Sequence, residues 1–279
     1  MKNFKKLLAV LLAGLMLLSL AACGGKDENV IKHGMLQQLD GAGLIQGSEH
    51  EAHRKEDDSV SSDATHERVN YSNLSAALMD LESGKIFDLG VEGCVADYIV
   101  ARNEKFVASK KNDAMTNYSM MTLDSNTEVY NILNNAIKAM KEDGTLDSLI
   151  ANELKAYINS DPTPKDLPHF DGARTIKIGV TGDLPPMDFV SSDGKAAGFN
   201  IALLTEIANR AQVNFELVQI ETGARAIALS NGKVDAVFWT KGITCTVCGA
   251  EGAEKVEGTL VTESYFSDCV AEVKLKDNK

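Results

Sequence analysis

Apolar and polar positions follow two different periods in the C-terminal part of the chain. Short apolar runs at 175–180, 214–219 and 234–239 have the length of buried strands. Between them, residues 199–211 repeat their apolar positions at helical spacing, and residues 223–230 form a second, shorter helical segment. This order of strand, helix and strand predicts an α/β fold with a parallel sheet and crossover helices.

The region before residue 160 contains further helical stripes and short apolar runs. Apolar residues from Leu74 to Leu81 at helical spacing predict a helix that ends at Gly84. Thr127 begins a longer helix that ends at Gly144, and a second helix follows from Thr145. The stripe of the longer helix consists of Val129, Ile132, Leu133, Ala136, Ile137 and Met140. Strands are predicted at 86–91, 106–109 and 118–123.

Three segments lack the apolar pattern of a core element. Residues 160–173 contain three prolines within eight residues, which predicts a linker between two halves. Residues 48–72 are rich in Glu, Asp, Ser and His, which predicts a solvated or poorly ordered excursion. Residues 23–35 are predicted to be a polar tether. The histidines of the excursion do not have the spacing of a zinc motif, so a solvated loop or an exposed helix is the preferred interpretation.

The N-terminus has the features of an export signal. Lys2, Lys5 and Lys6 precede an apolar run of about 16 residues, which is short for a membrane span and typical of a signal-peptide core. The run ends at Ala22 before Cys23, an order that resembles a bacterial lipobox. The resemblance implies that residues 1–22 are removed and that Cys23 is lipidated, for example with palmitate. The alternative is an ordinary secretory signal followed by a chance cysteine.

Composition excludes several classes of function. Removal of the three signal lysines changes the formal net charge from −12 to −15 and leaves 257 residues, enough for one two-lobed domain or two small ones. Such an acidic chain argues against nucleic acid or anionic lipid as a partner. Cys245 and Cys248 have no second cysteine pair and no nearby histidine, so no metal or other cofactor is predicted.

Four motifs follow one another between Thr175 and Asp268. They are a loop with two prolines at 179–189, the turn DGKAAGFN at 193–200, LSNGKVD at 229–235 and TESYFSD at 262–268. Together they resemble the first lobe of the amino-acid-type periplasmic solute-binding proteins of ABC importers, extracellular family 3. The resemblance implies an α/β, two-lobed fold of the periplasmic-binding-protein type II.

The second lobe of that family resembles the earlier part of the chain. The relevant segments are 39–48, 81–92 and 131–146. The implied organisation is lobe two at 36–117, a hinge return with helices that pack on lobe one at 118–159, and lobe one at 174–279. In the family lobe one comes first, so this chain is either circularly permuted or a rearranged fragment of a tandem pair. Packing of residues 127–155 on the sheet of 175–273 would distinguish a permutant.

The resemblance also implies a binding site between the lobes for a small zwitterion. The family's carboxylate-binding arginine is absent from the matching segment, where Thr240 and Lys241 stand instead, and Arg225 is a further candidate whose alternative role is on a helix surface. Glu92 falls where the family has a ligand-facing acid, with a solvated strand-end acid as the alternative. The complete predicted set of ligand-binding residues is Gln46, Ser48, Glu92, Asp183, Phe189, Trp239, Thr240 and Lys241.

The sequence therefore predicts a solute-binding protein that is lipid-anchored on the outer face of the cell membrane and serves an ABC permease. The solute is expected to be small and polar, an amino acid in the first place. Two alternatives are a degenerate lipoprotein with a structural or partner-binding role and a small-acid lyase on the same fold. The chain contains no P-loop, nucleophile elbow, metalloprotease helix or dinucleotide fingerprint, so no catalytic residue is predicted.

Overall fold

A computed structural model describes residues 30–36, 65–160, 164–191, 193–245, 251–252 and 256–277. For residues 112–114, 239–245 and 251–252 it describes the backbone alone. The predicted signal peptide, Cys23, Gln46 and Ser48 lie outside the described residues, so the roles assigned to them stay predictions.

Helices and strands alternate along both parts of the chain. Up to residue 160 the elements are β1 (Val30–Leu36), β2 (Thr65–Tyr71), α1 (Leu74–Glu82), β3 (Asp88–Glu92), α2 (Gly93–Arg102), β4 (Phe106–Leu123), α3 (Thr127–Glu142) and α4 (Thr145–Leu149), followed by single turns of π helix (Ile150–Lys155) and 3-10 helix (Ala156–Ile158). From residue 164 they are β5 (Thr175–Val180), β6 (Asp183–Leu184), β7 (Asp188–Val190), β8 (Ala196–Ala197), α5 (Phe199–Ala211), β9 (Asn214–Gln219), a 3-10 turn (Thr222–Ala224), α6 (Arg225–Ser230), β10 (Ala236–Cys245), β11 (Glu251–Gly252), β12 (Thr259–Val261) and β13 (Phe266–Leu275).

Within the described residues, ten strands form one sheet with the main order β2-β1-β3-β13-β4-β10-β5-β9. At one end β2, β1 and β3 are parallel, and at the other end β10, β5 and β9 are parallel. The two long strands β13 and β4 lie between these groups: β13 runs antiparallel to β3, β4 runs antiparallel to β10, and the two are antiparallel to each other. The sheet is thus shared by an N-terminal lobe, built on β1–β3 with α1 and α2, and a C-terminal lobe, built on β5, β9 and β10 with α3, α5 and α6.

Helix α3 closes one face of the C-terminal lobe. It begins at Thr127 because the Asn126 side chain accepts a hydrogen bond from the Val129 backbone N–H and caps the first turn. Its apolar stripe is buried, apart from the partly buried Ile132, and the helix contacts α5 and β4. The stripe belongs to the same hydrophobic core as residues of β5 and α5. The polar face of the helix stays exposed, as expected for an amphipathic surface helix.

Two polar segments before residue 72 form strands instead of the predicted tether and excursion. Val30–Leu36 overlaps the predicted tether, and Thr65–Tyr71 overlaps the predicted excursion. Because β2 is an edge strand with most of its side chains exposed, its polar composition does not prevent backbone pairing with β1. His33 on β1 is hydrogen-bonded to buried Asp88 on β3 at 2.9 Å and to His66 on β2 at 2.7 Å.

The two strands predicted at 106–109 and 118–123 are one continuous strand, β4. The polar residues between the two predicted strands lack an apolar strand pattern, so the sequence predicted two strands instead of one. In the structure, Lys111 and Met115 both pair with β13, and the residues between them form a local irregularity in the register. Backbone pairing therefore continues through a segment whose side chains carry no strand pattern.

No described helix combines the length and the apolar character needed to cross a membrane.

The packing of α3 leads to a stability prediction. Leu133 has no exposed surface, so Leu133→Ala should lower the free energy of unfolding by about 2–5 kcal/mol through lost burial and a residual cavity. Lys138→Ala, on the exposed face of the same helix, should change it by less than about 0.5 kcal/mol. Urea unfolding of both variants measures the two values. Similar small effects would show that the stripe does not stabilise the fold.

Candidate functional site

A polar cavity of about 400 Å³ lies between the two lobes. Its lining consists of Ser72, Asn73, Thr181, Asp183, Gln219, Ile220, Glu221 and Thr222. The first two follow β2 of the N-terminal lobe, and the others follow β5 or lie at the end of β9 in the C-terminal lobe. The site therefore sits beyond the carboxyl ends of parallel strands, where ligand crevices of open α/β sheets occur. Its volume suits a small molecule.

Asp183 joins the two walls of this cavity. Burial raises the pKa of the Asp183 carboxyl, and the nearby charge of Asp188 raises it further. The Thr181 side chain and, to a smaller extent, the Leu74 backbone oppose this rise. Leu74 is the first residue of α1, so an acid of the C-terminal lobe lies near the N-terminus of a helix in the N-terminal lobe. This contact crosses the cleft directly and uses the favourable end of the helix dipole.

Asp188 fixes the loop that carries Asp183. Its buried carboxylate accepts hydrogen bonds from the Thr181 hydroxyl at 2.9 Å, the Gly182 N–H at 2.6 Å and the Asn200 side-chain amide at 3.1 Å. Three hydrogen-bond donors offset the cost of burying this carboxylate, and they hold the loop in one conformation. The hydrogen bonds to Asp188 therefore fix the position of the cleft wall that contains Thr181 and Asp183.

Arg225 supports the same wall from the inside. Its side chain is buried, and it donates to the Thr222 carbonyl at 3.1 Å and to the Phe238 carbonyl at 3.0 Å. Burial lowers the pKa of Arg225 to about 10, while the charges of Asp188 and Glu92 oppose the shift. The alternative of a helix-surface role is wrong, because α6 turns this residue inward. Arg225 instead lines a separate space of about 20 Å³ behind the wall, room for about one water molecule.

Glu92 lies beside the long strand β13, where it pairs with Val270, and does not line the cleft. It ends β3 and is fully buried, so the alternative of a solvated acid is wrong. Among the described residues, neither of its carboxylate oxygens has a hydrogen-bond partner, and the Tyr118 and Thr116 hydroxyls are also unpartnered. Burial raises the pKa of Glu92 to about 7, and the charge of Asp268 adds to the rise. Asp268 itself accepts from the Cys94 N–H at the start of α2, at 2.5 Å.

The other predicted ligand residues lie on two strands. Phe189 is half-buried on β7 and pairs with Asp183 on β6. Trp239 and Thr240 are on β10, where their backbones pair with β4, and Lys241 follows at a register irregularity. Their side chains are outside the described part of the structure. Among the predicted residues whose side chains are described, Asp183 alone lines the cleft cavity.

The prediction missed most of the lining. Gln219, Ile220, Glu221 and Thr222 follow a strand that the sequence does predict, so the rule that ligands bind at strand ends would have found them. Ser72 and Asn73 follow β2, which the polar composition concealed. Among the described residues, no group of three or more His, Cys, Asp or Glu side chains is arranged to hold a metal ion.

The buried Glu92 gives the folded protein a predictable pH dependence. Its pKa rises from 4.5 to about 7 on folding, so its contribution to stability is greatest below pH 4.5 and falls as pH rises towards 7. The loss over this window is about 3 kcal/mol. Glu92→Gln removes the charge and should therefore raise the free energy of unfolding at about pH 8 by up to ~3 kcal/mol relative to the wild type.

Urea unfolding of the wild type and Glu92→Gln across this pH range measures the difference. Glu216→Gln changes the same charge at an exposed position and should retain the wild-type pH dependence. Parallel pH profiles for the wild type and Glu92→Gln would show that burial does not disfavour the carboxylate.

Comparison with known proteins gives one family match. The sequence profile of the bacterial extracellular solute-binding proteins, family 3, matches residues 176–246. A search of curated proteins finds no match.

Several solved structures are remotely similar to this chain in the overall course of the backbone. A ligand-binding component of an ABC-type import system from Staphylococcus aureus has 12% identity and a TM-score of 0.47, with 88% of this chain and 66% of that chain covered, just under two-thirds of its length. The GluR0 ligand-binding core in complex with L-glutamate has 11% identity and a TM-score of 0.43, with 89% and 85% covered. The LysR-family regulator CbnR has 8% identity and a TM-score of 0.44, with 89% and 64% covered.

The profile match falls on the segment whose motifs predicted the resemblance. It covers β5 from its second residue, β6–β8, α5, β9, α6 and all of β10, which belong to the C-terminal lobe. The resemblance is therefore confirmed for this segment: residues 176–246 match the bacterial extracellular solute-binding proteins, family 3.

Proposed function

We propose that this protein is the solute-binding component of an ABC importer and that it takes a small polar solute between its lobes. The observation that carries the proposal is the polar cavity at the strand ends, one wall of which belongs to the lobe that matches the family. A family of extracellular proteins supports an extracytoplasmic location. An amino acid is the solute class that the sequence resemblance implies.

The proposed mechanism is closure about the two long strands. Strands β4 and β13 connect the lobes, so small changes in their backbone angles would open or close the cleft without breaking either lobe. A solute that contacts Ser72 and Asn73 on one side and Gln219 and Thr222 on the other would stabilise the closed state. Its binding would shift the population of lobe positions towards closure.

The hinge residues have a proposed role only if the lobes move. Glu92 is buried in this arrangement, so contact with a solute ammonium group requires an opened hinge. The same holds for the proposed contacts of Trp239, Thr240 and Lys241, which lie on the adjoining strand. Gln46 and Ser48 stay proposed contacts from the N-terminal lobe.

A lipid anchor at Cys23 completes the proposal. Acyl chains on that cysteine would hold the binding protein at the outer face of the membrane beside its permease, since each buried methylene contributes roughly 0.8 kcal/mol. Incorporation of labelled palmitate, lost in Cys23→Ser, tests the anchor. Unchanged labelling of the variant would place the lipid elsewhere or exclude it.

One observation favours a second candidate function, a small-acid lyase. Asp183 lines the cavity and has a raised pKa, as a general acid or base requires. The two functions differ in what happens to the solute. Mass spectrometry after incubation with a bound solute would recover it unchanged from a binding protein and as an elimination product from a lyase.

Calorimetry with a panel of amino acids, amines and small organic acids tests solute binding. We expect at least one member to bind and to lower the radius of gyration measured by small-angle X-ray scattering. Ser72→Trp should weaken that binding at least about tenfold by filling the cavity, whereas Ser75→Trp, exposed on α1 outside the lining, should leave it unchanged. Folded protein that binds no panel member would contradict the proposal.

A further inference from the structure

We infer that the cleft selects a small hydrophilic amine that carries no carboxylate. This inference rests on the proposed function and narrows its solute class. It departs from the amino acids that the sequence resemblance implies, and it follows from the charges and hydrogen-bonding groups that line the cavity.

The eight lining residues offer negative charge without a compensating cation. Asp183 and Glu221 are acidic, five others are neutral hydrogen-bonding residues, and Ile220 is apolar. None of the eight is lysine, arginine or histidine. An ammonium group entering this space would be attracted by both acids, whereas a carboxylate would be repelled by them and would find no charge partner in the lining.

The buried cation behind this wall, Arg225, is directed away from the cavity. Arg225 lies behind the lining, and its guanidinium bonds the backbone carbonyls of Thr222 and Phe238. It lines the small internal space together with Asp188 and does not line the cleft. A bidentate bond from arginine to a ligand carboxylate is the usual solution for amino-acid recognition, and this side chain is committed to a different position.

The backbone site that would suit a carboxylate is also occupied. The N-terminus of α1 faces the cleft, and helix N-termini bind anions through free N–H groups. Here Asp183 on β6 lies near the Leu74 backbone at the start of α1, and the Asn73 side chain accepts from the Ala76 N–H at 2.8 Å. The protein's own acid thus takes the position that a ligand carboxylate would need.

The lining further indicates which amines fit. Quaternary ammonium groups are bound by aromatic cages, and none of the eight lining residues is aromatic. Carboxylates, hydroxyls and side-chain amides instead accept hydrogen bonds, which requires N–H donors on the ligand. Primary amines satisfy both the charge and the donors, so a short diamine or amino alcohol is the expected class.

A matched pair of ligands tests the inference, because 1,4-diaminobutane and L-ornithine differ in the carboxylate of ornithine. Titration calorimetry on the wild-type protein should show 1,4-diaminobutane binding at least about tenfold more tightly than L-ornithine. Choline, as a quaternary amine, should bind more weakly than 1,4-diaminobutane.

Variants that lose one acidic side chain test whether the amine binds in the cleft. Glu221→Gln and Asp183→Asn should each weaken 1,4-diaminobutane binding at least about fivefold, in proportion to the loss of one acid. Glu221 is exposed, so its variant is expected to fold even if Asp183→Asn does not. Glu216→Gln removes an exposed acid of β9, the strand that Glu221 follows; Glu216 is outside the lining, so this variant should leave the affinity unchanged.

The possible outcomes separate this inference from the proposed function. Equal or tighter binding of L-ornithine or of another amino acid would overturn the amine preference and leave solute binding intact. Binding of 1,4-diaminobutane that Glu221→Gln and Glu216→Gln weaken equally would also overturn it, because the attraction would then be a general surface effect. Folded protein that binds neither amines nor amino acids nor organic acids would overturn both.

Discussion

The pairing of β4 with β13 is the constraint on which the rest of the structure depends. The two strands are paired from Tyr118 with Phe266 to Phe106 with Leu275, and each also pairs with one lobe. β13 continues into the N-terminal lobe through β3, and β4 continues into the C-terminal lobe through β10. Neither lobe has a complete sheet without a strand that also belongs to the other. The two lobes that flank the cleft are joined through these strands, so the width of the cleft depends on them.

The shared centre also explains an accumulation of buried polar groups. Glu92 pairs with Val270, and Tyr118 lies opposite Phe266, so residues from both lobes meet in one buried layer. A fully buried carboxyl that has no hydrogen-bond partner among the described residues is costly, as the raised pKa of Glu92 indicates. Such costs are common at functional sites. A hinge that exposes Glu92 on opening would relieve this cost, which couples the protonation of that group to lobe movement.

The sequence predicts the helices and strands whose apolar residues repeat at a regular spacing, and it does not predict those that lack such a repeat. The α3 stripe and strands β5 and β9 are found because their apolar residues repeat at helical or strand spacing. β2 is missed because an edge strand needs only backbone pairing, which polar residues provide equally well. Ser72 and Asn73 are missed with it. The inward position of Arg225 depends on carbonyls that folding brings together, and no local pattern encodes them.

The order of the lobes along the chain has a consequence for folding. Helix α3 precedes the C-terminal lobe in sequence, yet its stripe packs on that lobe, which is the packing that we expect of a circular permutant. With one sheet shared by both lobes, we expect one cooperative unit. Urea unfolding followed by the fluorescence of Trp239 and by hydrogen exchange of peptides from α1 and α2 tests this most directly, since Trp239 is the only tryptophan and lies on β10 of the C-terminal lobe. Coincident midpoints are predicted. Loss of protection in α1 and α2 at a urea concentration that leaves the Trp239 signal native would contradict the account.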